Sequence, residues 1–465
     1  MNSPAVESAP RLSEAMLRRL DTPGPRYTSY PTADRFHTGF ADADYAAALG
    51  RVAAGGDRPL SVYAHIPFCE SLCYYCACNK VVTRHHDRAE RYLDNLLREI
   101  DLHVATLGGR RAMSQLHFGG GTPTFLSDTE LRRLVDALDG AFGRTEDIEA
   151  SIEVDPRTVT TARLKTLRTL GFNRISFGVQ DFDAQVQQAV HRIQPESQVR
   201  QLMVSARELG YQSINVDLIY GLPRQTGESF ARTVAQVVDL RPDRIALYAY
   251  AHLPQRFKPQ RRIHEADLPM PQERVTMLAT AIDRFTAQGY DYVGMDHFAL
   301  HDDSLAVAKR EGRLHRNFQG YTTRPDCDLL GLGVSAIAKV GPTFGQNAKT
   351  LDEYYAAIEA GRFATQRGYS LDDDDRLRRE VIMALMCQGR VEFDAIESRF
   401  GIDFAATFAT ELAELAALVE MDWVRIEPRA VQVTPLGWYF VRSVSSVFDA
   451  HLRRDQSRRA YSRMV

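Results

Sequence analysis

Between residues 60 and 298, short β-branched runs alternate with longer amphipathic stretches, and nothing else in the chain restricts its fold so tightly. The runs are LSVYAHI (60–66), SQLHFGG (114–120), DIEASIEV (147–154), NRISFGV (173–179), SINVDLIYGL (213–222), DRIALYAY (243–250) and YDYVGMDHF (290–298). Helical patterns lie between them at 91–107, 128–142, 199–210, 229–240 and 272–289. In 128–142, Leu131, Leu134, Val135 and Leu138 follow the i, i+3, i+4, i+7 spacing of one buried helix face. Repeated strand–helix alternation predicts parallel strands with right-handed crossovers, hence an α/β fold of the partial (β/α)6 parallel-barrel type. A doubly wound open sheet is the alternative.

Polar residues recur at the downstream ends of these runs: Glu153 and Asp155, Gln180 and Asp181, Asp217, and Asp296 with His297. Active sites of α/β barrels sit at the C-terminal strand ends. Capping of the following helix explains any one carboxylate equally well. It does not explain Glu153 and Asp217, which lie inside apolar runs.

The flanks differ from this core. Residues 1–50 form an N-terminal arm that includes GPRYTSYPTADRF (24–36), too rich in Pro, Tyr and Thr for a helix. The barrel occupies 51–300, and 301–370 forms an extension and connector. From 371 the alternation stops. Helical patterns at 375–387, 393–400 and 404–418, then a hairpin at 422–434 and a last helix, predict a winged-helix-like helical domain over 371–465. It lacks a basic recognition helix and reads as a packing domain.

The 57 basic and 60 acidic side chains nearly cancel, which removes the electrostatic reason to expect nucleic acid or an anionic membrane. The basic end HLRRDQSRRAYSRMV (451–465) reads as a solvated helical face. The N-terminus lacks a basic segment followed by an apolar run, and no stretch reaches the ~18 apolar residues of a membrane span. A cytoplasmic protein is expected. In that reducing setting, a dense cysteine cluster serves metal binding or catalysis rather than disulfides.

Such a cluster exists. HIPFCESLCYYCACNK (65–80) places Cys69, Cys73, Cys76 and Cys78 within ten residues, while Cys327 and Cys387 stand alone. Structural zinc takes two separated cysteine pairs, and complete four-cysteine iron–sulfur sites use other spacings. CxxxCxxC, directly after a first strand, resembles the signature of the radical S-adenosylmethionine superfamily. There, three thiolates hold a 4Fe–4S cluster whose fourth iron chelates S-adenosylmethionine. The resemblance implies reductive cleavage of the cofactor to methionine and a 5′-deoxyadenosyl radical, with the protein supplying binding, orientation and shielding.

Further motifs narrow the resemblance. GGGTPT (119–124) lets backbone approach a cofactor closely and lacks the Gly-Lys-Ser/Thr of a P-loop. GLGVSA (331–336) lacks the βαβ context of a dinucleotide fingerprint. YAHIPFC, GGGTPT, SIEVDPR, GVQDF and NVDLIYGLPRQT are similar to the coproporphyrinogen oxidase-like branch of the superfamily. GPRYTSYPTA, CACNKVVTR, HRNFQGYTT (315–323) and the C-terminal module resemble, more closely still, the family of oxygen-independent coproporphyrinogen III oxidases. The likeness runs from about Gly24 to the C-terminal module.

This resemblance implies decarboxylation of two propionates of coproporphyrinogen III to vinyls, giving protoporphyrinogen IX. It implies two S-adenosylmethionine molecules, with Cys69, Cys73 and Cys76 as the cluster ligands. The first molecule would contact Tyr63, Gly120, Glu153 and Ile337. The second would contact Tyr75, Gly121, Thr122, Gln180, Arg192, Asp217 and Ala251. For Tyr63, Ile337 and Ala251 core packing is the competing reading. HRIQ (191–194) and GLPRQT (221–226) stand where the family usually has NRxQ and GLPKQT; Arg192 is kept. Cys78 reads either as a non-ligand near the reacting centre or as a small buried side chain.

The arm is expected to close over substrate, with Arg26 and Arg35 pairing propionates and Tyr27 and Tyr30 packing on pyrroles; a structural plug is the alternative. The expected partners are coproporphyrinogen III and an electron donor such as a flavodoxin or ferredoxin, and the protein is expected to act as a monomer. The rival readings are a haem-binding chaperone or haem-modifying relative, and a zinc-stabilised binding module.

Overall fold

The computed structural model describes residues 24–54, 58–109, 111–325 and 327–454. The first 23 residues of the arm and residues 455–465 of the basic end lie outside the described residues.

Six strands lie side by side in chain order, each pair parallel: β1 (Leu60–Ile66), β2 (Met113–Gly120), β3 (Arg144–Val154), β4 (Arg174–Gln180), β5 (Ser213–Tyr220) and β6 (Arg244–Ala249). Helix α1 (Asp42–Ala53) precedes them. The crossovers between consecutive strands carry α2 (Asp87–Leu107), α3 (Asp128–Ala141), α4 (Thr161–Thr169), α5 (Glu196–Glu208, after a short helix at Ala184–Ala189) and α6 (Gly227–Leu240). Helix α7 (Pro271–Ala287) follows β6. The expected stripe on α3 is buried at Leu131, Leu134, Val135 and Leu138. A capping box starts that helix: Glu130 N–H donates to Ser127 Oγ (3.2 Å), and Ser127 N–H donates to Glu130 Oε2 (2.7 Å). Periodicity missed α4, which buries only Leu164 and Leu167 along about two and a half mostly polar turns.

Residues 290–298 do not form one parallel strand. They make an antiparallel hairpin of β7 (Tyr290–Gly294) and β8 (His297–Leu300), and β8 runs antiparallel to β6. Met295 and Asp296 take left-handed backbone conformations (φ 46° and 75°) that reverse the chain inside an apolar run. Asp296 therefore sits in a hairpin turn, not at the end of a barrel strand. The seventh parallel strand comes instead from the extension, where β9 (Asp328–Leu332) pairs with the free side of β1. GLGVSA ends β9 and turns into β10 (Ile337–Val340), with no helix after it. Strands β11 (Thr343–Asn347) and β12 (Thr365–Ser370) complete an open twelve-stranded sheet of order β12-β11-β10-β9-β1-β2-β3-β4-β5-β6-β8-β7.

Each barrel strand has an apolar face toward the helices and a polar face toward the interior. On β5, Ile214, Val216 and Leu218 are fully buried, while Asn215 and Asp217 line internal cavities. The pleat's period of two produces this split, and it carries polar groups into the barrel without exposing the helix-packing face.

Downstream, α8 (Asp373–Gln388), α9 (Phe393–Phe400) and α10 (Ala409–Glu420) surround a three-stranded antiparallel sheet of β13 (Arg390–Glu392), β14 (Val424–Glu427) and β15 (Ala430–Val433).

The arm does not lie over a cavity with its tyrosines facing a ligand. Tyr27 and Tyr30 are both 0% exposed. Tyr27 Oη donates to Asp449 Oδ2 (3.0 Å), and Ala450 N–H donates to Tyr30 Oη (3.2 Å). Arg35 Nη2 donates to His451 O (3.4 Å), and Arg442 Nε donates to Pro25 O (3.1 Å). The arm is thus bolted to the C-terminal segment, because phenols with one apolar face and one polar tip fit a packed seam. Tyr30→Ala should therefore cost about 3 kcal/mol or more of stability, read as a lower denaturation midpoint. An unchanged midpoint would mean that the arm is not anchored there.

Candidate active site

A cavity of about 480 Å³ opens at the C-terminal ends of β1 to β5, and all four clustered thiols line it. The cysteine loop leaves β1, and its backbone pairs with the glycine turn at the end of β2. Gly121 N–H donates to Ile66 O and Thr122 N–H to Phe68 O, both at 2.8 Å. Space here requires glycine. A Cβ on Gly120, whose φ is 114°, would meet the His65 ring at 2.6 Å, and one on Gly121 would meet Pro67 O at 2.6 Å. Thr122 Oγ1 donates to Cys69 Sγ (3.5 Å).

Two guanidiniums approach Cys73. Arg157 Nη2 and Arg192 Nη1 each lie 3.4 Å from its sulfur. Asp155 at the end of β3 holds both, accepting from Arg157 Nη2 at 2.6 Å and from Arg192 Nη1 at 3.1 Å. Burial opposes its charge, yet Arg192 and Arg157 keep the Asp155 carboxyl below the usual aspartate range. Arg192 Nε also donates to Gly178 O (3.1 Å), which fixes the arginine against β4. Cys76 and Cys78 perturb each other's thiols. Their mutual hydrogen bond lowers the Cys76 thiol and raises the Cys78 thiol, and Lys80 favours the Cys76 anion. Lys80 Nζ also donates to Cys76 O (3.1 Å).

Two carboxylates project inward from the strands, and their surroundings push them apart. Burial works against Glu153, but the hydrogen bond and charge of His117, with Gly120 N–H, hold it below the usual glutamate range. His117 Nε2 lies 3.2 Å from Glu153 Oε1, and Gly120 N–H donates to Oε2 at 3.2 Å. Among the described residues Asp217 accepts from Ser176 Oγ (3.2 Å) and Asn215 Nδ2 (2.8 Å). Burial, and then the charge of Glu153, raise it from 3.8 to about 7. Glu153 is thus an anion ready for a cationic or hydroxyl-bearing ligand, while Asp217 changes charge near neutrality.

Of the residues singled out in the sequence, the four cysteines, Tyr75, Gly120, Gly121, Thr122, Glu153, Gln180, Arg192 and Asp217 line this one cavity. Tyr63, Ala251, Ile337 and Arg26 do not. Tyr63 bonds His65 Nδ1 at 3.0 Å and stacks on His117 (5.7 Å between centroids). Ala251 O accepts from Gln260 Nε2 (3.1 Å), and Ile337 begins β10. Arg26 pairs with Asp296 (3.0 Å) and faces the Tyr248 ring at 5.9 Å, so it reaches the cavity wall only through Tyr248.

Sequence reading passed over Arg157, His65, His117, Lys80 and Tyr248, and noted Asp155 only as a polar strand end. For the two histidines a signal existed, since each interrupts an apolar strand on its inward face. Below the main cavity, a second one of about 180 Å³ shares Glu153, Ser176, Asp217 and Tyr248, and is closed by Asn317, Gln319 and Tyr321 of the HRNFQGYTT stretch.

The donors suit a polynuclear cluster and a small cationic ligand: four thiols on the wall, guanidiniums beside one sulfur, and glycine backbone and carboxylates opposite. Among the described residues no three His, Cys, Asp or Glu side chains are arranged to hold a single metal ion, and no helix is long and apolar enough to cross a membrane.

The raised Asp217 carries a pH signature. Its folded value exceeds its unfolded one, so its contribution to stability is lost as pH rises from about 4 through about 7. In the ligand-free protein, Asp217→Asn should gain melting temperature relative to wild type as pH goes from about 5 to about 8. A difference independent of pH would mean that Asp217 titrates normally.

Comparison with known proteins agrees with this geometry. Residues 63–237 match the model of the radical SAM superfamily, and residues 371–440 match the HemN C-terminal domain. Oxygen-independent coproporphyrinogen III oxidase of Pseudomonas aeruginosa is 47% identical over 452 residues, covering 97% of this chain and 98% of that protein. Its counterpart from Salmonella typhimurium is 48% identical over 451 residues, at the same coverage. The solved structure of coproporphyrinogen III oxidase (HemN) from Escherichia coli, described as a radical SAM enzyme, superposes with a TM-score of 0.88 at 47% identity, over 92% of this chain and 98% of that one. The chain belongs to the oxygen-independent coproporphyrinogen III oxidase family of the radical SAM superfamily.

Proposed function

We propose that the chain catalyses oxygen-independent oxidative decarboxylation of coproporphyrinogen III to protoporphyrinogen IX, turning two propionates into vinyls. The observation that carries this reading is the convergence of the cysteine loop, the glycine turn, Glu153, Arg192 and Asp217 on one cavity at the strand ends. Cys69, Cys73 and Cys76 would hold a 4Fe–4S cluster, which with S-adenosylmethionine would supply one-electron chemistry for hydrogen-atom removal from a propionate. The chain's residues bind and orient. Glu153 and the Gly120 backbone, with Tyr63 and Ile337, would contact the cluster-bound cofactor. Tyr75, Gly121, Thr122, Gln180, Arg192, Asp217 and Ala251 hold a second cofactor molecule. The preference of Glu153 for the charged state suits the first cofactor's ammonium or ribose. Cys78 lines the same cavity without being a cluster ligand and serves near the reacting carbon. Arg26, paired with Asp296 against Tyr248, acts by positioning that wall rather than by touching substrate. An electron donor of flavodoxin or ferredoxin type, a monomeric state and a cytoplasmic location complete the reading and rest on the family resemblance.

Under anaerobic conditions with S-adenosylmethionine and a reductant, coproporphyrinogen III should acquire two vinyl groups. Retained haem binding without vinyl product would point to a chaperone instead. Cys69→Ser, Cys73→Ser and Cys76→Ser should each lose cluster iron, whereas Cys78→Ser should keep iron and the brown chromophore. Iron loss in Cys78→Ser equal to that in Cys73→Ser would overturn the ligand assignment.

A further inference from the structure

PQRFKPQRRIH (254–264), in the loop that follows β6, carries four basic and no acidic side chains, in a chain whose 57 basic and 60 acidic groups nearly cancel. Arg256, Lys258, Arg261 and Arg262 are all exposed, and among the described residues none of them forms an ion pair. Of the acids that follow directly in the chain, Asp267 is engaged by Arg224 at 3.7 Å, which leaves Glu265.

The segment is tied to the cysteine loop. Gln260, 1% exposed, donates through Nε2 to Tyr75 O (3.0 Å) and Ala251 O (3.1 Å), and Leu253 N–H donates to its Oε1 (2.6 Å). Ile263 shares one apolar cluster with Tyr74 and Tyr75. Arg262 Nη1 donates to Tyr74 Oη (3.3 Å), and its guanidinium stands 5.1 Å from the centre of that ring. Tyr74 and Tyr75 lie between Cys73 and Cys76, so the basic segment is fixed to the middle of the loop.

A further cation stands at the loop's other flank. Asn79, one residue past Cys78, donates through Nδ2 to Lys349 O (3.0 Å). Partial burial, then the charges of Arg367 and Arg256, lower the Lys349 ammonium from its ordinary value, so Lys349 and Arg256 share one positive field. None of these five cations lines either cavity at the strand ends. They face solvent beside a loop whose thiols line the main cavity. An exposed array of this kind steers and orients a macromolecule of opposite charge, whereas a small ligand is held inside a pocket.

We propose that this basic surface docks an acidic one-electron carrier protein against the cysteine loop. Under the proposed function, on which this reading rests, the loop's cluster is reduced from outside. Electron tunnelling weakens steeply with distance, so the carrier has to seat beside the loop. Arg256, Lys258, Arg261, Arg262 and Lys349 are the cations fixed there. Each docking event moves one electron: a flavodoxin hydroquinone becomes the semiquinone, and the cluster is reduced by one electron.

The test uses anaerobically prepared, cluster-loaded protein. Isothermal titration with an oxidised flavodoxin, and separately with an oxidised ferredoxin, both acidic, reads docking without turnover. At least one should bind, and more weakly as salt rises. Arg256→Glu combined with Lys258→Glu should weaken that binding by about tenfold or more and flatten its salt dependence. Iron content and melting temperature should stay at wild-type values. Arg132→Glu combined with Lys165→Glu makes the same charge change on exposed positions of α3 and α4, and should bind as wild type does. Vinyl formation driven by the reduced carrier should fall with the first double variant. Vinyl formation driven by dithionite, which needs no docking surface, should change by less than about twofold. If neither carrier binds, or if the two double variants bind alike, the proposal fails. It also fails if the first variant instead raises the KM for coproporphyrinogen III under dithionite, because the cations then serve substrate. Absence of vinyl product from wild-type protein with dithionite would overturn the proposed function, an outcome the binding titration keeps separate.

Discussion

One buried ion cluster holds the working end of this protein together. Asp155 ends β3 and accepts from Arg157 and Arg192, and both arginines then reach the sulfur of Cys73. The cysteine loop is tied to the same region by backbone, since Tyr74 N–H donates to Val190 O (2.9 Å). His191 Nδ1 also pairs with Leu72 O (2.9 Å). Three segments far apart in sequence are thereby fixed to one another. Removing one member would leave a charge buried and unpaired, which typically costs about 3–5 kcal/mol. The two guanidiniums also place positive charge beside the Cys73 sulfur.

The barrel interior then divides labour between two acids of the same kind. Glu153 has His117 and a backbone N–H to hold its charge, while Asp217 has neutral partners and the negative field of Glu153. Packing alone separates them, because both sit on inward faces of parallel strands. The apolar partners on the other strand faces fill the layer against α2 to α6 and let the polar interior persist. The arm and the C-terminal segment are locked together at Tyr27, Tyr30, Asp449 and Ala450, so the far ends of the chain form one seam.

Much of the site was legible because its signals are local. Four thiols in one loop and three glycines after a strand are spacings along the backbone. Carboxylates inside apolar runs belong with them, because a period-two pleat already decides which face such residues occupy. The partners of those residues were not legible. Nothing near Asp155 announces Arg192, and nothing near Glu153 announces His117, because these pairings depend on strand register. The arm misled for a related reason. Arginines and tyrosines suit a tetrapyrrole, but the same phenols suit a packed seam, and only the position of residues 449–451 decides between them. Asp296 was misplaced because Gly294, Met295 and Asp296 reverse the chain without a proline or an Asn-Gly pair to signal it.

The sequence by itself determined the strand–helix order, the identity of the cysteine loop and the family to which the chain belongs. All three are written in short-range periodicity and spacing, which covalent geometry converts directly into local structure. Tertiary structure alone decided which acid stays charged, which arginine meets which thiol, and which strand pairs with the free side of β1. These outcomes depend on desolvation and on contacts between residues on different strands and loops, and no local pattern encodes either one.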